Sequence, residues 1–149
     1  MLPRWHIFFG AVFSLVLWFF IRDISLINLA LVFLASVLID FDHYAASVIK
    51  TGRLSLIRSF DYHKKNEIEA RKDIARGIRR KGDFHLFHTI EFHLILGILG
   101  LYWKGFFYIF IGMVFHSLLD IISLFRSGRF HRREYFLFLT GSCLMFQVF

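Results

Sequence analysis

The apolar run from Ile24 to Phe41 closes on Asp40, Asp42 and His43, so two carboxylates and an imidazole stand where a hydrocarbon-length helix runs out. A bilayer penalises each of these groups, and a plain polar turn would need none of them. Lone pairs gathered at the edge of an apolar helix point to a bound metal ion. That reading requires other helices to bring donors to the same level.

Three further apolar runs have nearly the length of a span: Trp5 to Ile21, with Pro3 at a natural helix start, His85 to Trp103, and Phe106 to Phe125. Arg22-Asp23 separates the first two runs, with Asp23 or Ser25 as N-cap, which predicts a tight helical hairpin. No small-residue cleavage site follows the first run, so it is expected to stay as a span. Lys104-Gly105 is expected to turn the chain between the third and fourth runs, next to the interfacial pair Tyr102-Trp103. Tyr135 to Phe149 forms a fifth run, which as a helix reaches roughly 21 Å against a hydrocarbon core of ~30 Å. With 57% hydrophobic residues, 21 Phe and a mean hydropathy of +0.59, the composition excludes an ordinary soluble domain. The expected fold is therefore an all-α membrane protein, a compact bundle of four to five transmembrane helices in one domain over residues 1–149. The lone Cys143 excludes an intramolecular disulfide.

Residues 50–82 break the pattern. Eleven Lys and Arg stand against four acids between Lys50 and Lys81, so this segment is a basic cytoplasmic or interfacial insertion. Ile68, Ala75 and Ile78 share one face if it is helical, which fits an amphipathic helix on an anionic leaflet; a solvated charged loop fits as well. Sixteen Lys and Arg fall on the side of the N-terminus and two, Arg22 and Lys104, on the other. Basic loops stay in the cytoplasm, so the N-terminus and this segment are assigned to the cytoplasmic side of the cell membrane.

That orientation sorts the ionisable groups by depth. His6, Asp40, Asp42, His43, His88 and Asp120 all come to the inner side, while His93 and His116 lie deeper and level with each other. His116 and Asp120 are four residues apart, which stacks imidazole and carboxylate on one helix face. One polar residue in a span is as well explained by helix packing. Four helices contributing His, Asp or Glu at matched depth are better explained by a metal cluster, because each buried group left unpaired is costly. Imidazole and carboxylate together suit Zn²⁺ best, with Mn²⁺ or iron as alternatives, and eight candidate ligands suit two or three ions.

The segments Trp5-His6-Ile7-Phe8-Phe9-Gly10, Leu38-Ile39-Asp40-Phe41-Asp42-His43, His88-Thr89-Ile90-Glu91-Phe92-His93 and Phe115-His116-Ser117-Leu118-Leu119-Asp120 resemble, in order and internal spacing, the motifs of the YdjM-type inner-membrane metal-dependent hydrolases, a group similar to zinc-dependent phospholipase C and the single-strand-specific zinc nucleases. The resemblance implies a metal-binding set of His6, Asp40, Asp42, His88, His93, His116 and Asp120, with His43 as a further member. Three features depart from the pattern: Ile39 where the family has Pro, Thr89 where it has Arg, and Glu91-Phe92 where it has a neutral residue and Thr. Loss of that Arg removes a phosphate contact. Glu91, three residues after His88, is read from the residues alone as a bridging ligand, a general base, or a partner that orients an imidazole. Glu91 and Asp120 are the expected catalytic carboxylates.

The function expected from these readings is hydrolysis of a lipid phosphoester by metal-activated water, with basic side chains drawing anionic headgroups to the membrane face. A transporter is disfavoured, since Ile95–Trp103 and Phe106–Phe115 carry no titratable side chain except tyrosine. A metalloprotease lacks its H-E-x-x-H. A non-catalytic, metal-stabilised adaptor that binds polyanions through the basic segment remains the alternative. Nucleic acid is the less favoured polyanion, because only Phe60 and Tyr62 in that stretch offer rings for stacking.

Overall fold

A computed structural model describes residues 3–133 together with Tyr135 and Phe136; the expected fifth run beyond Phe136, and Cys143 with it, lies outside the described residues. The described chain is helical, with no strand: α1 (Pro3–Phe20), α2 (Leu26–Leu38), α3 (Phe41–Thr51), α4 (Leu56–Ala75), α5 (Ile90–Tyr102) and α6 (Lys104–Arg126), plus 3₁₀ turns at Leu86–His88 and Phe130–Arg132. Taken through its bend, Leu26–Thr51 is long and apolar enough to cross a membrane, as is Lys104–Arg126; Arg4–Phe20 and Ile90–Tyr102 are shorter apolar helices.

Helix α2 is packed between α1 and α6, and α5 pairs with α6 as a hairpin. Ser25 opens α2 by accepting a hydrogen bond from the Asn28 amide, as one of the two expected caps. Small residues set the helix spacing. A methyl group on Gly10 would collide with the Ser36 hydroxyl, and one on Gly112 with the Val32 carbonyl, so α2 lies nearly backbone-to-backbone against both neighbours. The α1–α6 register is marked by stacking of Phe13 on Phe115, centroids 4.0 Å apart.

Three local expectations are corrected. The second span does not end at Phe41: the chain bends at Ile39-Asp40 and continues as α3 to Thr51, where Gly52 caps it in the left-handed conformation (φ 66°). The bend needs no proline. Ile39 is buried with Leu96 and Met113, so apolar packing holds its inner side while Asp40 and Asp42 emerge beside it. The third span is helical only from Ile90, because Thr89 caps α5, accepting from the Phe92 amide and donating to the Leu86 carbonyl. The turn between α5 and α6 falls at Trp103, and Lys104-Gly105 already belongs to α6.

The basic segment does contain a helix, α4, although Ile78 of the expected apolar face lies beyond its end. Ser59, Ala70 and Asp73 are buried, with Ser59 hydrogen-bonded to Ser47 of α3, whereas Ile68 is exposed. The prominent apolar surface is the start of the segment, where Leu54, Leu56, Ile57 and Phe60 are exposed among Arg53 and Arg58. Asp83 ties the strap between α4 and α5 down, accepting from Lys50, Tyr62 and Asn66. Burial pushes its carboxyl up, but the Lys50 and Tyr62 hydrogen bonds outweigh that effect and hold it below the usual carboxylate range.

Among the described residues, polar side chains outnumber apolar ones in the interior, and many large apolar side chains are exposed. His6, Ser36, Ser47, Thr89, His116 and Asp120 are among the buried residues, while Phe19, Phe20, Leu26, Ile27 and Leu101 are exposed. Water as solvent favours the reverse.

Candidate metal centre

The Asp40 bend faces the C-terminal half of α6 and the 3₁₀ turn that precedes α5. Four side-chain atoms converge there: His88 Nε2, His116 Nε2, Asp40 Oδ1 and Asp120 Oδ2. His116 Nε2 is 3.4 Å from His88 Nε2, 3.3 Å from Asp40 Oδ1 and 3.5 Å from Asp120 Oδ2; His88 Nε2 is 3.8 Å from Asp40 Oδ1 and 3.7 Å from Asp120 Oδ2. These are five of the six edges of the group, and a regular tetrahedron with edges of this length has its centre about 2.0–2.3 Å from each vertex, the bond length of Zn²⁺ to nitrogen and carboxylate oxygen.

The outer nitrogens of both imidazoles decide what the inner ones can be. His116 Nδ1 lies 2.7 Å from the Ser36 carbonyl, which can only accept, so Nδ1 carries the proton. His88 Nδ1 lies 3.1 Å from Asp42 Oδ2, which likewise only accepts from it. In the neutral rings both Nε2 atoms are therefore bare lone pairs, facing each other and two carboxylate oxygens inside a buried site. Only a cation, or an added proton, makes that arrangement favourable. The fixing of each ring from behind by a carbonyl or carboxylate is the support usual for metal-ligating histidine.

His6 completes the wall. Its ring stacks on His116 at 3.9 Å, and its Nε2 stands 3.2 Å from Asp120 Oδ1 and 4.0 Å from Asp40 Oδ2. His6 and His116 are fully buried, whereas Asp40 (side chain 23% exposed) and His43 (29%) leave the centre open on one side. Three groups of donors close enough to share an ion emerge among the described residues: Asp40, His43, His88 and Asp120; His6, Asp40 and His116; and Asp42, His43 and His85. The buried His and Asp residues can hold a metal ion.

No protein-family model, curated protein or solved structure matches this chain. The site must therefore be read from its own geometry.

Of the residues singled out in the sequence, His6, Asp40, Asp42, His43, His88, His116 and Asp120 are brought together. His93 is not among them: its Nδ1 engages the Thr89 carbonyl at 2.8 Å and its Nε2 the Ser117 hydroxyl at 3.1 Å. Glu91, half-buried in the first turn of α5, also lies outside the three groups. Two residues that sequence reasoning overlooked join the site. His85 pairs with Asp42 at 3.7 Å, and its three-residue spacing from His88 was a legible signal. Arg133 donates to Asp120 Oδ2 at 2.8 Å with its side chain 9% exposed. Backbone hydrogen bonds on both sides of it, Gly82 N to Arg132 O and Ile90 N to Tyr135 O, stitch its loop onto the approach to α5.

Proposed function

We propose that this chain is a membrane-embedded, zinc-class metal-dependent phosphoester hydrolase whose substrate is a lipid phosphoester. The observation that carries the reading is the tetrahedral convergence of two bare imidazole nitrogens and two carboxylate oxygens, open to the outside at Asp40. A catalytic ion keeps three protein ligands and one exchangeable position. His88, His116 and Asp120, the deeply buried donors, would hold such an ion, and Asp40 stands at the open side, where water reaches the site. An ion bound there would supply a water of lowered pKa (~7) and a Lewis acid for a phosphoryl oxygen.

The remaining steps belong to the chain's own side chains. Asp40 accepts the proton as the water oxygen forms its bond to phosphorus, and the bond from phosphorus to the leaving oxygen breaks. Arg133 supplies a planar guanidinium beside Asp120, suited to two phosphoryl oxygens at once. It thus offers the anion contact that Thr89, engaged in capping α5, does not make. The general-base role expected for Glu91 passes to Asp40, because Glu91 lies outside the converging groups.

Membrane embedding as a bundle of four or more spans is supported by the apolar exterior and by two helices of crossing length. The basic loops support a cytoplasmic orientation of the site. The exposed apolar tip at Leu54–Phe60, flanked by Arg53 and Arg58, suits an anionic lipid interface. The motif resemblance points to the same class of chemistry. Purified, metal-loaded protein is expected to release phosphate or a phosphorylated headgroup from phospholipid vesicles, and Asp120→Asn to lose that activity while its helical circular dichroism is unchanged. Wild-type turnover by Asp120→Asn, or no cleavage of any lipid, nucleotide or nucleic-acid phosphoester, would leave the polyanion-binding adaptor as the account of the chain.

A further inference from the structure

The two oxygens of Asp42 are used differently, and the difference identifies a second site. Oδ2 accepts the Phe87 backbone N–H at 3.1 Å and the Nδ1 proton of His88, so it is committed to orienting the first centre. Oδ1 is buried and has no hydrogen-bond partner among the described residues. It faces His85 Nδ1, also buried and without such a partner, across 3.7 Å, too far for a hydrogen bond. The His43 ring packs against His85 with centroids 3.7 Å apart, and donor atoms of Asp42, His43 and His85 all lie within 4.8 Å of one another.

Two unpartnered polar atoms that face each other in a buried position are unfavourable unless something lies between them. A proton does not bridge 3.7 Å. With bonds of ~2.1 Å, an ion between Asp42 Oδ1 and His85 Nδ1 subtends an angle of about 120°, within the range a four-coordinate divalent ion accepts. His43 is the third donor. Its Nε2 lies 3.5 Å from Asp40 Oδ1, but His6, Asp40, His88, His116 and Asp120 can supply the first centre without it, and its partly exposed ring leaves the remaining coordination position open to solvent.

We propose that Asp42, His43 and His85 form a second, more open site for a divalent transition-metal ion, joined to the first through the Asp42 carboxylate. The inference rests on the reading of the first centre only in that His43 is not consumed there. The site lies at the rim, where Asp40 and His43 are partly exposed, so its ion would face the direction from which an anionic substrate would arrive.

The test is metal stoichiometry in detergent-purified protein without a polyhistidine tag, loaded with Zn²⁺ and separately with Co²⁺, then dialysed. Wild type should hold two ions per chain. His85→Ala and His43→Ala should each hold one, and the cobalt form of each should lose one component of its visible absorption. His116→Ala should also drop to one ion, with the complementary component lost, which separates failure of the first centre from failure of the second. Each variant is compared with wild type by circular dichroism, and His85→Gln replaces His85→Ala if the latter does not fold. One ion in wild type with His116→Ala empty would leave the first centre standing and overturn the second. Two ions in both His85→Ala and His43→Ala, or none in either, would overturn it equally.

Discussion

The helix spacing set by Gly112 offers a perturbation that touches no ligand. A Cβ at this position would lie 3.0 Å from Ala35 Cβ and 3.1 Å from the Val32 carbonyl carbon, and closer still to the Val32 oxygen. Ordinary carbon contacts need about 3.5–4.0 Å, so Gly112→Ala must push α6 from α2 by about 0.5–1 Å. His116 is one turn further along the same face of α6, and its Nδ1 is tied to Ser36, one turn beyond Val32 on α2, at 2.7 Å. The displacement stretches that bond to about 3.2–3.7 Å, at or past the limit of a hydrogen bond, and frees the ring to turn. Loss of such a supporting bond lowers metal affinity about 10–100-fold, equivalent to about 1.4–2.8 kcal/mol. The assay is competition with a chelator for bound zinc. Gly77→Ala is the control: Gly77 has φ 73° with nothing within 4 Å of an added Cβ, so that change costs about 1 kcal/mol of folding stability without altering affinity. Affinity of Gly112→Ala within twofold of wild type would refute the claim that α2–α6 contact fixes His116.

Two other outcomes test the substrate side. Assayed at saturating zinc, because Arg133 also supports Asp120, Arg133→Ala should raise KM for a phosphoester at least tenfold, and Arg133→Lys should recover only part of the loss, because a point charge does not replace a bidentate fork; an unchanged KM in steady-state assays would remove Arg133 from the anion site. Ile57→Asp with Phe60→Asp should weaken activity on anionic vesicles by about tenfold or more while leaving a soluble, short-chain phosphoester unaffected. Equal effects on both substrates would mean that this apolar tip does not meet lipid.

Helix existence was legible because apolar runs of nearly hydrocarbon length have few other outcomes, and α1, α2, α5 and α6 all arise within such runs. Their interruptions were less so. The bend at Ile39-Asp40 carries neither Pro nor Gly, and its cause is the tertiary burial of Ile39 against Leu96 and Met113. Within the site, level along a helix was readable from sequence but direction around the helix axis was not. His93 meets Ser117, the neighbour of His116, yet points away from the converging donors. His85 opens an apolar run and so reads as the start of a helix, although His85-x-x-His88 is visible in the sequence as a ligand spacing. Arg133 had no local signal at all: it reaches Asp120 through backbone pairing between loops about fifty residues apart, which a one-dimensional pattern does not encode.

X-ray absorption at the zinc edge of the loaded protein addresses the central claim most directly, because it reads donor type and distance without reference to activity. The account predicts a shell of nitrogen and oxygen at about 2.0–2.2 Å, with the outer scattering of imidazole rings and no sulfur at ~2.3 Å, and a changed imidazole contribution with half the zinc in His116→Ala. A protein that binds no zinc, or whose zinc spectrum is unchanged when His88 and His116 are both replaced by Ala, would contradict it.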